Sequence, residues 1–191
     1  RNDHQVDTVE SFQKLDFVYA AMNEQELVRL LWAHETLQVK KLLGPFAEAG
    51  LLRALRDYLL QHSATRHQRL RILADCSGGG HFVQLQRIRP AIEDAEIIFS
   101  TVGQGYSRAF NSARFYLLPD ANKNRPYLVL KQALGVFRLI SAEKPDIILS
   151  TGGSIGGFAC LFGKLFGAHT IWIDSIANPR RLSVSGRLCS S

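Results

Sequence analysis

The run Asp75-Cys76-Ser77-Gly78-Gly79-Gly80-His81 sets three glycines, a hydroxyl and an imidazole between an apolar stretch, Leu70 to Ala74, and a helix-like one. A strand, a glycine turn and a helix start make an anion cradle. Without Cβ atoms the N–H groups of Gly78, Gly79 and Gly80 can turn inward, and the first helical turn adds unpaired donors and a positive dipole end. A diphosphate is the natural guest, with Ser77 beside it. His81, at the helix start, is a side chain able to exchange a proton near neutral pH, which makes it the candidate general base.

A second run, Thr151-Gly152-Gly153-Ser154-Ile155-Gly156-Gly157, follows the apolar stretch Asp146 to Ser150. Ligands of open α/β sheets bind at strand carboxyl ends, so Gly152, Gly153 and Ser154 form a second candidate diphosphate wall that could face the first. The plainer alternative is that these glycines only permit tight turns and close helix–sheet packing. A third group follows Ile171-Trp172-Ile173: Asp174 and Ser175, then Arg180 and Arg181. Asp174 could orient a sugar hydroxyl or His81, and the arginines could neutralise phosphate oxygens. Here the alternative is a turn cap followed by solvated bases.

Three familiar patterns are excluded. A P-loop around Gly163-Lys164 needs a glycine where Phe158 stands and Ser or Thr where Leu165 stands. A dinucleotide fingerprint starting at Gly78 needs glycine at Val83. Gly152-Gly153-Ser154-Ile155-Gly156 matches a nucleophile elbow, but no histidine follows Asp174, so the hydrolase order Ser, Asp, His fails.

The elements that must hold these residues follow from periodicity. Residues 1 to about 22 carry no firm pattern. Asn23 with Glu26 three residues on resembles a capping box, and Leu27, Leu30, Leu31, His34 and Gln38 share a helical face up to the Gly44-Pro45 break. A second amphipathic helix spans about Phe46 to Gln61. It is either packed on its own domain or an interfacial or docking element flanked by Arg53 and Arg56. From Arg69 onward, strands are expected at Leu70–Ala74, Glu96–Thr101, Arg114–Leu118, Asp146–Ser150 and Thr170–Ile173. Helices are expected at His81–Glu93, with a break at Pro90, at Pro126–Glu143 and at Ser154–Phe166. Continuous apolar strands such as Ile147-Ile148-Leu149 require burial on both faces. The expected fold is therefore a Rossmann-like α/β domain with a parallel sheet over residues 69–191, preceded by a helical N-terminal extension over 1–68.

Charge narrows the partners. The 191 residues carry a net charge of +6, with 8 basic and 9 acidic residues up to Gln68 against 15 and 8 after it. A basic excess confined to the second part suits an anionic partner: a nucleotide sugar, a lipid diphosphate or a phospholipid surface. Nucleic acid is not expected, because the arginines are scattered singly and no nucleic-acid-binding signature is present. Cys76, Cys160 and Cys189 lie far apart without metal-ligand spacing and read as reduced thiols, with no metal site. No apolar run is long enough to span a bilayer. The chain starts without methionine or a signal-peptide pattern, as a trimmed piece would.

Taken in order, Ser77-Gly78-Gly79-Gly80-His81-Phe82-Val83-Gln84-Leu85, Pro145-Asp146-Ile147-Ile148-Leu149-Ser150-Thr151-Gly152-Gly153, Trp172-Ile173-Asp174-Ser175 and Leu182-Ser183-Val184-Ser185-Gly186-Arg187-Leu188 resemble the asparagine-linked glycosylation fourteen family. That family includes the membrane-recruiting subunit of the UDP-N-acetylglucosamine transferase of dolichol-linked oligosaccharide synthesis and bacterial capsule and exopolysaccharide relatives. It is similar to the acceptor-side, N-terminal half of MurG. The resemblance covers about Arg69 to Leu188 and implies half of a GT-B glycosyltransferase split over two chains. It implies a peripheral protein on the cytoplasmic face of a membrane that binds a lipid-linked acceptor. A donor-binding partner subunit would hold most of the UDP-sugar, and no cofactor is needed beyond that substrate. His81 and Asp174 would be catalytic. Several departures stand out: Asp174 replaces the family's usual Glu, the glycine run is one residue longer, and the first 68 residues have no counterpart. The sequence also ends just after the last motif, before the closing strand and helix that the family would normally add. The alternatives are a non-catalytic recruitment subunit and a stand-alone nucleotide-binding enzyme.

Overall fold

A computed structural model describes residues 3–38, 40, 44–63, 69–106, 114–121, 124–174 and 183–190. The chain divides into two compact units, Arg1–Pro45 with Ile176–Arg181, and Phe46–Ser175 with Leu182–Ser191.

In the first unit, helix α1 spans Asp3–Lys14 and α2 spans Glu24–Trp32. The α1 helix forms where periodicity is weak: Val6, Val9 and Phe12 recur at three-residue spacing, but β-branched and polar neighbours dilute the stripe. At α2 the Asn23 Oδ1 accepts the Glu26 N–H at 2.8 Å, and the Glu26 carboxylate accepts the Met22 N–H at 2.8 Å. The helix stops at Trp32, earlier than its apolar spacing suggests. His34 Nδ1 bonds the Leu31 carbonyl and the Thr36 hydroxyl bonds that of Ala33, which favours a 3₁₀ turn over another α turn.

The second unit carries the sheet. Strands β1 (Arg71–Cys76), β2 (Glu96–Thr101), β3 (Arg114–Leu117), β4 (Ile147–Ser150) and β5 (His169–Trp172) are all parallel, in the order β3-β2-β1-β4-β5. This is the Rossmann-like α/β arrangement expected from the continuous apolar strands. Its helices are α3 (Ala49–Ser63), α4 (Gly80–Ile88), α5 (Pro126–Glu143), α6 (Ser154–Leu165) and α7 (Val184–Ser190). A 3₁₀ turn, Arg89–Ala91, replaces the end of α4 because Pro90 cannot continue an α-helix.

Strand alternation sorts the core into two layers. Ile72, Ala74, Cys76, Phe99, Ile147 and Leu149 pack with Leu85 and Ile88 of α4 and with Leu55 and Leu59 of α3, so α3 belongs by packing to the sheet unit. On the other face Leu73, Ile98 and Ile148 meet Val136, Leu139 and Ile140 of α5 and Ile155 and Ala159 of α6. At the amino-terminal edge, Glu143 at the end of α5 accepts hydrogen bonds from Arg71 at 2.9 Å, from Arg114 and from the Tyr116 hydroxyl. Burial pushes this carboxyl up, but the Tyr116 and Arg114 bonds and the charges of Arg114 and Arg71 outweigh it and leave Glu143 below its usual value. Glu143 therefore stabilises the fold above the unfolded carboxyl range and loses that contribution as pH falls through its depressed folded value. Glu143→Gln should cost about 2 kcal/mol at neutral pH in chemical denaturation, with the gap to wild type closing below about pH 4.

Candidate active site

Strand order makes β1 and β4 neighbours, pairing Asp75 with Ser150, so the turns that follow them emerge side by side. In this order the connections leave in opposite directions at β1 and β4, which is the switch point where open α/β sheets bind ligands. Both glycine turns are there. Gly78 and Gly79 take φ of +99° and +56°, and Gly152 and Gly153 take +134° and +95°, conformations that side chains rarely adopt. Gly79 precedes α4 and Gly153 precedes α6 as helix N-caps, which directs both helix starts to this edge. The turns touch: a Cβ on Gly153 would lie 2.5 Å from that of Ser77.

His81 joins them. Its Nδ1 lies 2.6 Å from the Thr151 carbonyl, and the Thr151 hydroxyl donates to the His81 carbonyl at 2.7 Å. A carbonyl only accepts, so Nδ1 carries the proton and the lone pair is on Nε2. The ring lies so close over Gly152 that any Cβ there would collide with it. Among the described residues no hydrogen bond reaches Nε2. The half-buried imidazole is thus held in one tautomer with its basic nitrogen available.

The Ser154 hydroxyl donates to the buried Gln132 side chain at 2.7 Å, leaving its backbone N–H for any ligand. The Asp174 carboxylate accepts the Ser183 N–H at 2.7 Å beside the start of α7, and the Ser183 hydroxyl in turn accepts the Gly186 N–H at 3.1 Å. The orienting partner of the His81 ring is thus the Thr151 carbonyl. Ser175, Arg180 and Arg181 lie outside the described residues.

Two residues escaped sequence reasoning. Tyr106, in the turn after β2, accepts the Gly79 N–H on its hydroxyl at 2.9 Å and stacks on Phe82 with ring centroids 4.1 Å apart. Its ring fills space that a Cβ on Gly78 or Gly103 would occupy, at 3.0 and 2.5 Å. The Gly103-x-x-Tyr106 spacing after a strand was the available signal, but the partner Gly79 is 27 residues away. The second is Asp75, fully buried, whose Oδ1 accepts the Ser150 hydroxyl at 2.7 Å. Burial pushes its carboxyl up to about 7, against the opposing pull of the Ser150 hydrogen bond.

The opposite edge of the sheet has a cavity of about 830 Å³ lined by His62, Arg69, Lys144 and His169 among others. Helices α3, α5 and α6 end at this edge, and basic side chains there answer the negative ends of their dipoles. Among the described residues no cluster of three His, Cys, Asp or Glu side chains is placed to hold a metal ion.

No family model matches this chain, and no curated protein matches it. Among solved structures, MurG of Acinetobacter baumannii is similar over 55% of this chain and 34% of its own, at 16% identity and a TM-score of 0.42. A Listeria monocytogenes protein described as a UDP-N-acetylglucosamine 2-epimerase is similar over 64% of this chain and 37% of its own, at 11% identity and a TM-score of 0.44. The matches span about a third of each of those proteins. The fold class rests on the parallel sheet and its strand order, and neither likeness decides an activity.

Because the folded Asp75 carboxyl sits above its unfolded value, stability it contributes at low pH is lost as pH rises from about 4 to about 7. Asp75→Asn should therefore gain on wild type across that window by roughly 3 to 4 kcal/mol, read from denaturation midpoints at a series of pH values. A gap that does not widen with pH would show that Asp75 is ionised in the native state throughout.

Proposed function

We propose that this chain is the acceptor-binding, membrane-recruiting half of a two-part inverting glycosyltransferase. It serves transfer of a sugar, N-acetylglucosamine foremost, from a UDP-sugar to a lipid-diphosphate acceptor in glycan or polysaccharide synthesis. The observation that carries the reading is the His81 imidazole, locked by the Thr151 carbonyl with Nε2 available, between two glycine turns at the sheet's switch point. The ordered motifs that resemble the asparagine-linked glycosylation fourteen family support the same assignment.

In this reaction the acceptor hydroxyl attacks the anomeric carbon as the bond to the UDP oxygen breaks, and His81 Nε2 takes the hydroxyl proton. The imidazolium so formed keeps its Nδ1–H on the Thr151 carbonyl, so no ring flip is required. The N–H groups of Gly80, Gly153 and Ser154 at the starts of α4 and α6 favour the diphosphate oxygens, whereas the Gly79 and Gly152 N–H groups are held by the Tyr106 and Ser150 hydroxyls and shape the turns. Asp174 holds the α7 start beside this edge, where it can meet a sugar hydroxyl. The donor-binding partner subunit supplies most contacts to UDP.

Peripheral membrane attachment has its own support. No described helix is long and apolar enough to cross a membrane. On α5 the side chains of Tyr127, Leu130, Leu134 and Phe137 are exposed at helical spacing, beside exposed Leu161 and Leu165 of α6. Every exposed charge on these two helices is basic, Lys131, Arg138 and Lys164, because their one acid, Glu143, is buried and paired. An apolar stripe with basic flanks suits an anionic lipid surface.

Two measurements test the reading. In a reconstituted pair of this chain and a donor-binding subunit, His81→Gln should lower kcat by about 10²-fold or more with little change in acceptor KM, and undiminished transfer would remove His81 as the base. In flotation with vesicles containing phosphatidylglycerol, Leu130→Glu combined with Phe137→Glu should abolish the bound fraction seen for wild type. Equal flotation of both would move the membrane contact elsewhere.

A further inference from the structure

Asp75 is a full carboxyl group at the end of β1, with no exposed surface, in a layer otherwise built of Leu73, Ile148 and Ile155. Helix α6 closes over it at Gly156, where a Cβ would stand 2.9 Å from Asp75 Oδ1 and 2.9 Å from the Trp172 ring. No substrate reaches this carboxyl, so it cannot act on one directly. Its second oxygen, Oδ2, has no hydrogen-bond partner among the described residues. A buried acid left half-satisfied costs stability and calls for a compensating role.

The hydrogen bonds around it run toward His81. The Ser150 hydroxyl spends its one proton on Asp75 Oδ1 at 2.7 Å, so the Ser150 oxygen is left facing the turn as an acceptor. It receives the Gly152 N–H at 3.2 Å. Gly152, at φ +134°, is the residue on which the His81 ring rests, and the neighbouring Thr151 carbonyl accepts from Nδ1. The Thr151 N–H is itself bonded to the Asp75 carbonyl at 3.3 Å. Without an acceptor at position 75 the Ser150 side chain loses the bond that fixes its rotamer, and a change of rotamer would take its oxygen away from the Gly152 N–H.

We propose that Asp75 is a positioning residue for His81: by fixing the direction of the Ser150 hydroxyl it holds the Thr151–Gly152 turn in the one conformation that keeps the imidazole protonated on Nδ1 and basic on Nε2. This rests on His81 being the base of the transfer reaction only for its catalytic consequence. The positioning is a property of the folded chain and can be read without any substrate.

The test is nitrogen NMR of the imidazoles in the full chain at pH 8, with the His81 signals assigned by His81→Gln. Wild type should show His81 almost wholly as the Nδ1–H tautomer. Asp75→Ala and Ser150→Ala should each bring the two ring nitrogens toward averaged shifts, with a several-fold rise in the Nε2–H form. Asp75→Asn, whose amide oxygen still accepts from Ser150, should keep the wild-type signature. Ser150→Ala preserves the decision if Asp75→Ala does not fold. In the reconstituted transfer assay the two alanine variants should lose roughly 10- to 100-fold in kcat at nearly constant acceptor KM. An unchanged His81 tautomer in a folded alanine variant, or loss of it in Asp75→Asn as well, overturns the proposal. Wild-type protein that shows the tautomer but transfers no sugar counts against the glycosyltransferase reading alone and leaves the positioning role supported.

Discussion

The parallel pairing of β1 with β4 is the interaction on which the rest of this unit depends. Asp75 and Ser150 are 75 residues apart in the chain, yet the ladder sets them opposite each other and brings two glycine turns edge to edge. Everything at the carboxyl edge follows from that contact. Ser77 can meet Gly153, His81 can reach the Thr151 carbonyl, and α4 and α6 can direct their starts at one crevice. The same ladder buries Asp75 under α6, so the cost of a carboxyl in the core and the geometry of the imidazole have one origin.

The two edges of the sheet are electrostatically different because all five strands run the same way. Helix starts gather at the carboxyl edge, where unpaired N–H groups and positive dipole ends favour an anion. Helix ends gather at the other, where Arg71, Arg114 and Tyr116 surround Glu143 and where His62, Arg69 and Lys144 sit near helix carboxyl ends. The basic excess of this half of the chain therefore serves at least two purposes. Part of it completes the fold at the amino edge, and part, on α5 and α6, remains exposed beside apolar side chains.

Much of this was legible in the residue pattern. The apolar runs that became β2, β4 and α5, the break at Pro90, and both glycine turns needed only local rules: burial on two faces, the missing proline N–H, and positive φ. Less legible was α1, whose apolar spacing is diluted by polar residues, and the early end of α2, where His34 and Thr36 side chains bond nearby carbonyls. Tyr106 and Asp75 were not legible at all as site residues. A tyrosine in a turn and an acid at a strand end are common, and each takes its meaning here from a partner distant in sequence, Gly79 for one and Ser150 for the other.

The sequence by itself determined the kinds of element and the chemistry available to them: strands buried on both faces, glycine turns able to cradle an anion, and an imidazole at a helix start. Periodicity and glycine content are local, and local physics suffices to read them. Only the tertiary structure decided which turns meet, which nitrogen of His81 carries the proton, and that the acid nearest its support is the buried Asp75, with Thr151 orienting the ring. Those outcomes depend on strand order and register, and on contacts between residues some 70 positions apart, such as Thr151 with His81 and Ser150 with Asp75.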